Sequence, residues 1–328
     1  MEIAEMKTIF LVYSSYFSVS LTPFKNMRRE FSDAIEKLAL KDEKIVFITG
    51  DLGYNALENL QSTLGNRFIN AGVAEQNMVG LAAGMAYKGF KVFCYSIAPF
   101  VVYRCWEQFR NDVCLHNLPV FLVGNGGGYG YGIMGSTHHA IEDLAGLSSL
   151  QNVKCWVPAF ADEVESFINQ IVADGRPAYL RLGAGKQTPA HEGEFGSLKW
   201  VVKSENPKGS IVALGPVANN VVSVLQQEEF NNQFNLYTAQ NVPLTIDSEG
   251  FKLLQSTNNL LVVEEHVSIG GLAQQLSVQL MEQGISFKKF ISLRAEGYPD
   301  GTYGDQNFHQ TQSGLDVNNI AEKLRLFK

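Results

Sequence analysis

The feature that most limits how this chain can fold is a regular alternation of short apolar runs with longer amphipathic ones. KIVFITGD, KVFCYSIA, PVFLVGNGGG, VKCWVPA and PAYLRLG are short, rich in β-branched and aromatic residues, and each runs into a loop. Between them lie MRREFSDAIEKLALKD, EQNMVGLAAGMAYKG, FVVYRCWEQFRNDVCLHN and ADEVESFINQIVADG, with apolar residues at helical spacing. Runs with no polar face predict strands buried on both sides. Helices between such strands predict parallel β-α-β units with right-handed crossovers. Ligands of such sheets sit beyond the carboxyl ends of the strands. The loops GDLGYN, NAGVAEQN, SIAPF and GNGGGYGYG are therefore expected on one face.

A chain of 328 residues has room for two domains. The polar, aperiodic stretch 186–208 (KQTPAHEGEFGSLKWVVKSENPK) reads as a linker between a first domain, 25–185, and a second, 209–328. The second shows a smaller α/β pattern: strands GSIVALG, NLLVVEEH and FKKFISL, helices PVANNVVSVLQQEEF and GGLAQQLSVQLMEQG, and a last helix from about Val317. Residues 1–24 read as a β-prone N-terminal extension that covers a domain or a partner. Their apolar run TIFLVYSSYFSVSL lacks a basic leader and a small-residue cleavage site, and it is too short and serine-rich to span a bilayer. A cytoplasmic protein with no membrane role is expected.

Net charge is −7, so no basic surface offers itself to nucleic acid. The cysteines Cys94, Cys105, Cys114 and Cys155 have no C-x-x-C spacing. They read as buried small hydrophobes of a reducing compartment, and no metal site is expected on this chain.

Two segments carry chemistry. Glu75 opens a helix otherwise built from Ala, Gly, Val, Met and Leu. A carboxylate suits a first helical turn for dipole reasons alone, but these small apolar surroundings would also desolvate it, which makes it a candidate for proton chemistry. GNGGGYGYGIMGSTHHA, residues 124–140, drops most side chains and then presents His138 and His139. It reads either as a mobile surface loop or as backbone that lets another group approach closely.

RFINAGVAEQNMVGLAAGMAYKG resembles the pyrimidine-binding domain of the transketolase family of thiamine-diphosphate enzymes. The YS-x-x-x-F strand end, EQFRND, LPV and STHHAIEDLA follow in compatible order, and 209–328 matches the family's smaller C-terminal domain. The resemblance covers almost everything from residue 25 on. It implies an α/β fold of two domains, a parallel-sheet thiamine-diphosphate pyrimidine-binding domain followed by a smaller α/β C-terminal domain. By position it implies that Glu75 hydrogen-bonds the cofactor's aminopyrimidine and so promotes loss of the thiazolium proton. It implies that Phe100 stacks on that ring, Tyr103 or Tyr95 being the alternatives, and that His138 transfers or stabilises protons on substrate oxygens. His139 stands where the family carries glutamine, and it ranks as a second substrate contact. Arg181 matches the arginine that holds a substrate phosphate, a surface salt bridge being the alternative.

The family's other half, which holds magnesium through a GDG motif and an asparagine, is not matched. Gly50-Asp51-Leu52 lacks the second glycine, and Asn77 lies inside the glutamate helix. The resemblance therefore implies a split enzyme: an N-terminal diphosphate-binding partner subunit, a cofactor shared between chains with Mg²⁺ held mainly by the partner, and an α₂β₂ heterotetramer. The expected activity is transfer of a two-carbon ketol unit from a ketose or modified sugar to an aldehyde. Met134 and Gly126 replace an aspartate and a histidine of the family pattern, which argues against a standard pentose phosphate and for a modified sugar or a less hydroxylated ketone. The alternatives are a 2-oxoacid-decarboxylating carboligase resembling deoxyxylulose-phosphate synthase, a 2-oxoacid dehydrogenase β-type subunit, and a non-catalytic homologue. A nucleotide-dependent oxidoreductase is disfavoured because no G-x-G-x-x-G follows the first strand.

Overall fold

A computed structural model describes residues 25–53, 56–189 and 192–327. The proposed 1–24 extension lies outside them. Two large sheets organise the chain. The first has seven strands in the order β13-β6-β7-β5-β4-β2-β3: Asn241–Val242, Lys154–Trp156, Ala178–Leu182, Val120–Asn125, Lys91–Ile97, Ile45–Thr49 and Phe68–Asn70. All pair in parallel except β13, which runs antiparallel to β6. This is the parallel sheet that the fully apolar runs predict. A short antiparallel pair, β1 (Lys25–Asn26) with β8 (Ala184–Gly185), joins the two ends of this domain.

β4 shows how the sheet is filled. Phe93 and Tyr95 point to one face and pack with Phe31 of the helix Met27–Ala39. Val92 and Cys94 point to the other and meet Met78, Val79 and Ala82 of the helix Glu75–Tyr87. Ser96 continues that second face. Tyr95 is thereby committed to the core, so its suggested share in cofactor stacking is corrected.

The second sheet has the order β15-β14-β11-β12-β10-β9: Lys289–Leu293, Asn259–Glu264, Gly209–Leu214, Phe234–Ala239, Leu198–Val202 and Gly193–Phe195. The first four are parallel, and β10 and β9 add on antiparallel. β9 and β10 lie within 186–208, so that stretch is not a free linker: it forms a hairpin that extends the second sheet. Trp200 supplies the reason, because its ring stacks on Tyr237 of β12 at 5.5 Å.

The domains are locked together. β13 comes from the second domain but closes the edge of the first sheet. Lys199 of β10 reaches Glu163, at the start of the helix Glu163–Asp174, over 2.9 Å, with both ends buried. One apolar cluster runs from Val79 and Cys94 through Val157 to Leu214 and Leu276.

At the carboxyl end of β14 the side chain of Glu264 is fully buried and accepts Leu272 N (2.6 Å) and Ala273 N (3.0 Å) at the start of the helix Leu272–Glu282. Burial pushes its pKa up to about 7, against the pull of those two N–H groups and of Arg181. The folded chain thus holds this proton more tightly than the unfolded chain, whose carboxyl titrates near 4.5. The resulting stability is complete below that value and is lost as pH rises through the folded value, up to about 3 kcal/mol. Glu264→Gln is expected to flatten the fall in melting temperature between pH 5 and 8, followed by circular dichroism. An unchanged slope would remove Glu264 as its source.

Candidate active site

The expected convergence of loops is present. Gly50 follows β2, Glu75 opens the helix after β3, Ser96 ends β4, and the glycine-rich loop follows β5. Glu75 is 3% exposed. Ser96 Oγ donates to its Oε1 at 3.1 Å, and Arg104 Nη1 lies 3.1 and 3.0 Å from the two oxygens.

Arg104 had no place in the sequence-based site. It comes from the segment predicted as one plain helix, in which Phe100–Arg104 and Phe109–Cys114 are π-helical turns flanking a short α turn. Such widened turns often mark functional places. Here the turn sets the Arg104 guanidinium 3.7 Å from the centre of the Phe100 ring while it pairs with Glu75. The four-residue spacing from Phe100 was the available signal.

His138 completes this corner. Its ring meets Phe100 edge-on at 5.1 Å and lies 6.1 Å from Tyr131. Its Nδ1 shares a hydrogen bond of 2.9 Å with Thr137 Oγ1, which leaves Nε2 with no partner among the described residues. Tyr103 stands on the next turn after Phe100 and donates to Glu142 Oε2 at 3.1 Å.

The glycine loop is held rather than loose. Gly128 and Ala140 exchange two backbone hydrogen bonds of 2.9 Å, closing the loop on itself. A Cβ on Gly132 would fall 2.5–2.7 Å from the backbone of Asp305 and Gln306, so the second domain presses directly on the loop. Of the two readings of these glycines, close approach fits.

Two expected substrate contacts are corrected. His139 is 2% exposed. Its Nε2–H donates to Gly132 O at 2.9 Å and its Nδ1 accepts from Tyr298 OH at 2.7 Å, so both nitrogens are used. Burial lowers its pKa and keeps the ring neutral. It is the packing centre of an aromatic cluster with Tyr129, Tyr298 and His309. Arg181, 4% exposed, donates through Nη2 to Ala140 O and to Glu265 O, the latter at 3.0 Å, and its Nε lies 3.0 Å from buried Asp143 Oδ2. Its charge is spent on joining the loop to the second domain. Neither a phosphate clamp nor a surface salt bridge describes it.

The family model for "Transketolase, pyrimidine binding domain" matches residues 25–188. The chain belongs to the transketolase family. It is similar to one of the subunits of the apulose-4-phosphate transketolase of Phocaeicola vulgatus, 29% identical over 90% of this chain and 95% of that protein. It is also similar to 1-deoxy-D-xylulose-5-phosphate synthase 1 of Geobacter metallireducens, 30% identical over 90% of this chain but 48% of that protein. Among solved structures, a split gene transketolase described as an inactive β4 tetramer superposes with a TM-score of 0.78, at 25% identity, over 92% of this chain and 97% of that one. In this thiamine-diphosphate family the chain is of the C-terminal, pyrimidine-binding subunit type of a split transketolase-like enzyme. No helix among the described residues is long and apolar enough to cross a membrane.

The corner suits a cofactor's aminopyrimidine: a buried carboxylate able to share a proton with a ring nitrogen, and a flat apolar face to stack on. Arg104 occupies both features, and a ring that used them would displace it. A half-exposed ion pair and a cation–π contact are each worth about 1 kcal/mol at most. Arg104→Met is therefore expected to raise the affinity of the assembled enzyme for thiamine diphosphate about tenfold in calorimetric titration. Equal or weaker binding would mean that Arg104 assists the ring instead of competing with it.

Proposed function

We propose that this chain is the pyrimidine-binding subunit of a thiamine-diphosphate enzyme that moves a two-carbon ketol unit from a ketose or modified-sugar donor to an aldehyde. One observation carries this reading: Glu75 sits buried at the start of its helix, in one chain of contacts with Arg104, Phe100 and His138. In this reading Glu75 and Phe100 hold the pyrimidine, and the cofactor supplies the carbon nucleophile that splits the bond beside a ketone. His138 offers its free Nε2 to protons on substrate oxygens. An N-terminal diphosphate-binding subunit completes the site and holds most of the Mg²⁺, in an α₂β₂ assembly. The near full-length match to a relative that is itself one part of a multi-subunit transketolase supports a division of labour between two chains, as does the inactivity of the β4 split-gene relative. A decarboxylating carboligase is the second reading, favoured by the likeness to deoxyxylulose-phosphate synthase.

Co-expression with the partner and a donor screen separates the two. Ketose formation from hydroxypyruvate or a ketose phosphate is expected, whereas CO₂ release from pyruvate without it would favour the carboligase. Glu75→Ala is expected to abolish turnover, and retained activity would refute the site assignment. The isolated chain is expected to bind thiamine diphosphate weakly in calorimetry, and tight stoichiometric binding would overturn the two-chain reading.

A further inference from the structure

Position 126 and Tyr131 compete for one space. Gly126 has φ of +72°, and a Cβ built on it would lie 2.4 Å from the Tyr131 ring. The chain can carry a side chain at 126 or the tyrosine in its present place, not both. The space that a side chain at 126 would take is thus filled by a phenol arriving from five residues downstream.

That phenol is held in a definite direction. Asn125 Nδ2 donates to Tyr131 OH at 2.7 Å. The bond uses a lone pair of the oxygen and leaves the phenol proton to be given elsewhere. No described residue accepts it. Tyr131 lines a cavity of about 150 Å³ with Asn125, Gly127, Arg28, Arg181 and Gln306. Its other side approaches His138, 6.1 Å between ring centres. The phenol therefore stands at the boundary between the catalytic corner and a polar recess built by both domains. Met134, on the same loop, is half exposed and offers no hydrogen bond in its stead.

We propose that Tyr131 is a substrate-contacting specificity residue, whose O–H donates to an oxygen acceptor on the part of the sugar or ketone beyond the carbon that His138 serves. The proposal rests on reading the chain as a ketol-transferring subunit. A hydroxyl oxygen and a terminal phosphate oxygen offer the same acceptor, and a pair of probes distinguishes them: free xylulose and its 5-phosphate ester.

The test uses the enzyme assembled with its partner, as wild type and as Tyr131→Phe, which keeps the ring that fills the space over Gly126. Thiamine-diphosphate affinity by calorimetry and kcat are expected within about twofold of wild type. KM is expected to rise about tenfold, the size of one lost hydrogen bond. A rise for the ester alone assigns a phosphate oxygen, and a rise for both sugars assigns a hydroxyl. Unchanged KM for both sugars, or loss of cofactor affinity with KM unchanged, would overturn the proposal. The melting-temperature shift caused by each sugar gives a readout independent of turnover. A Tyr131-dependent shift in an enzyme that turns over neither sugar and forms no ketose from hydroxypyruvate would uphold the contact and refute ketol transfer. Absence of the shift would overturn the contact, and absence of ketose formation from hydroxypyruvate as well would overturn both.

Discussion

The site depends on one buried ion pair. Arg181 sits near the end of β7 in the middle of the first sheet, and Asp143 opens the short helix that follows the glycine loop. Both are almost fully enclosed. The same guanidinium ties Ala140, where the loop closes, to the backbone of Glu265, where β14 of the second domain ends. Tyr179 Oη completes the knot by donating to Asp143 Oδ2 at 2.7 Å. Two charges taken out of water are stabilising only while each has the other, and removing one partner of such a pair costs about 3–5 kcal/mol. The loop that delivers His138 is therefore located by an electrostatic requirement of the core, and its glycines are what allow it to lie so close.

A buried carboxylate and an imidazole serve the same joint from the other side. Glu265 is buried and accepts Tyr129 N at 2.5 Å and Gln310 Nε2 at 2.7 Å. His266 Nε2 accepts Ala145 N at 3.2 Å. Glu265 and His266, just past the end of β14, are thus consumed in holding the glycine loop and the helix after it, while Glu264 before them caps the helix Leu272–Glu282. These polar groups are paired inside the chain, which distinguishes them from His138 and Tyr131, whose remaining hydrogen-bonding capacity faces outward.

Much of the first sheet was legible because its strands bury both faces and so show in the sequence as unbroken apolar runs. β12, FNLYTA, did not stand out because Asn235 and Thr238 interrupt its apolar run, although both are buried. β9 and β10 escaped notice because their flanks read as linker, and only the stacking of Trp200 on Tyr237 shows why they pair. Within the site, Glu75 was visible as the one acid in an apolar helix. Arg104 was not, because its four-residue spacing from Phe100 gains meaning only once the turn between them is seen to be π-helical. His139 and Arg181 were misread for a shared reason. Polar residues beside a catalytic loop look like ligands in sequence, and only burial shows that the other domain has already taken their hydrogen bonds.

The two-residue strand β13 has a consequence for how the molecule comes apart. It belongs to the second domain by connection but to the first by hydrogen bonding. An open sheet edge is a template for unwanted pairing, and here the first domain depends on the second to keep that edge covered. Loosening the second domain would strip β6 of its neighbour at the same moment. The chain should then melt in a single cooperative transition, and fragments cut between the domains should be adhesive rather than inert.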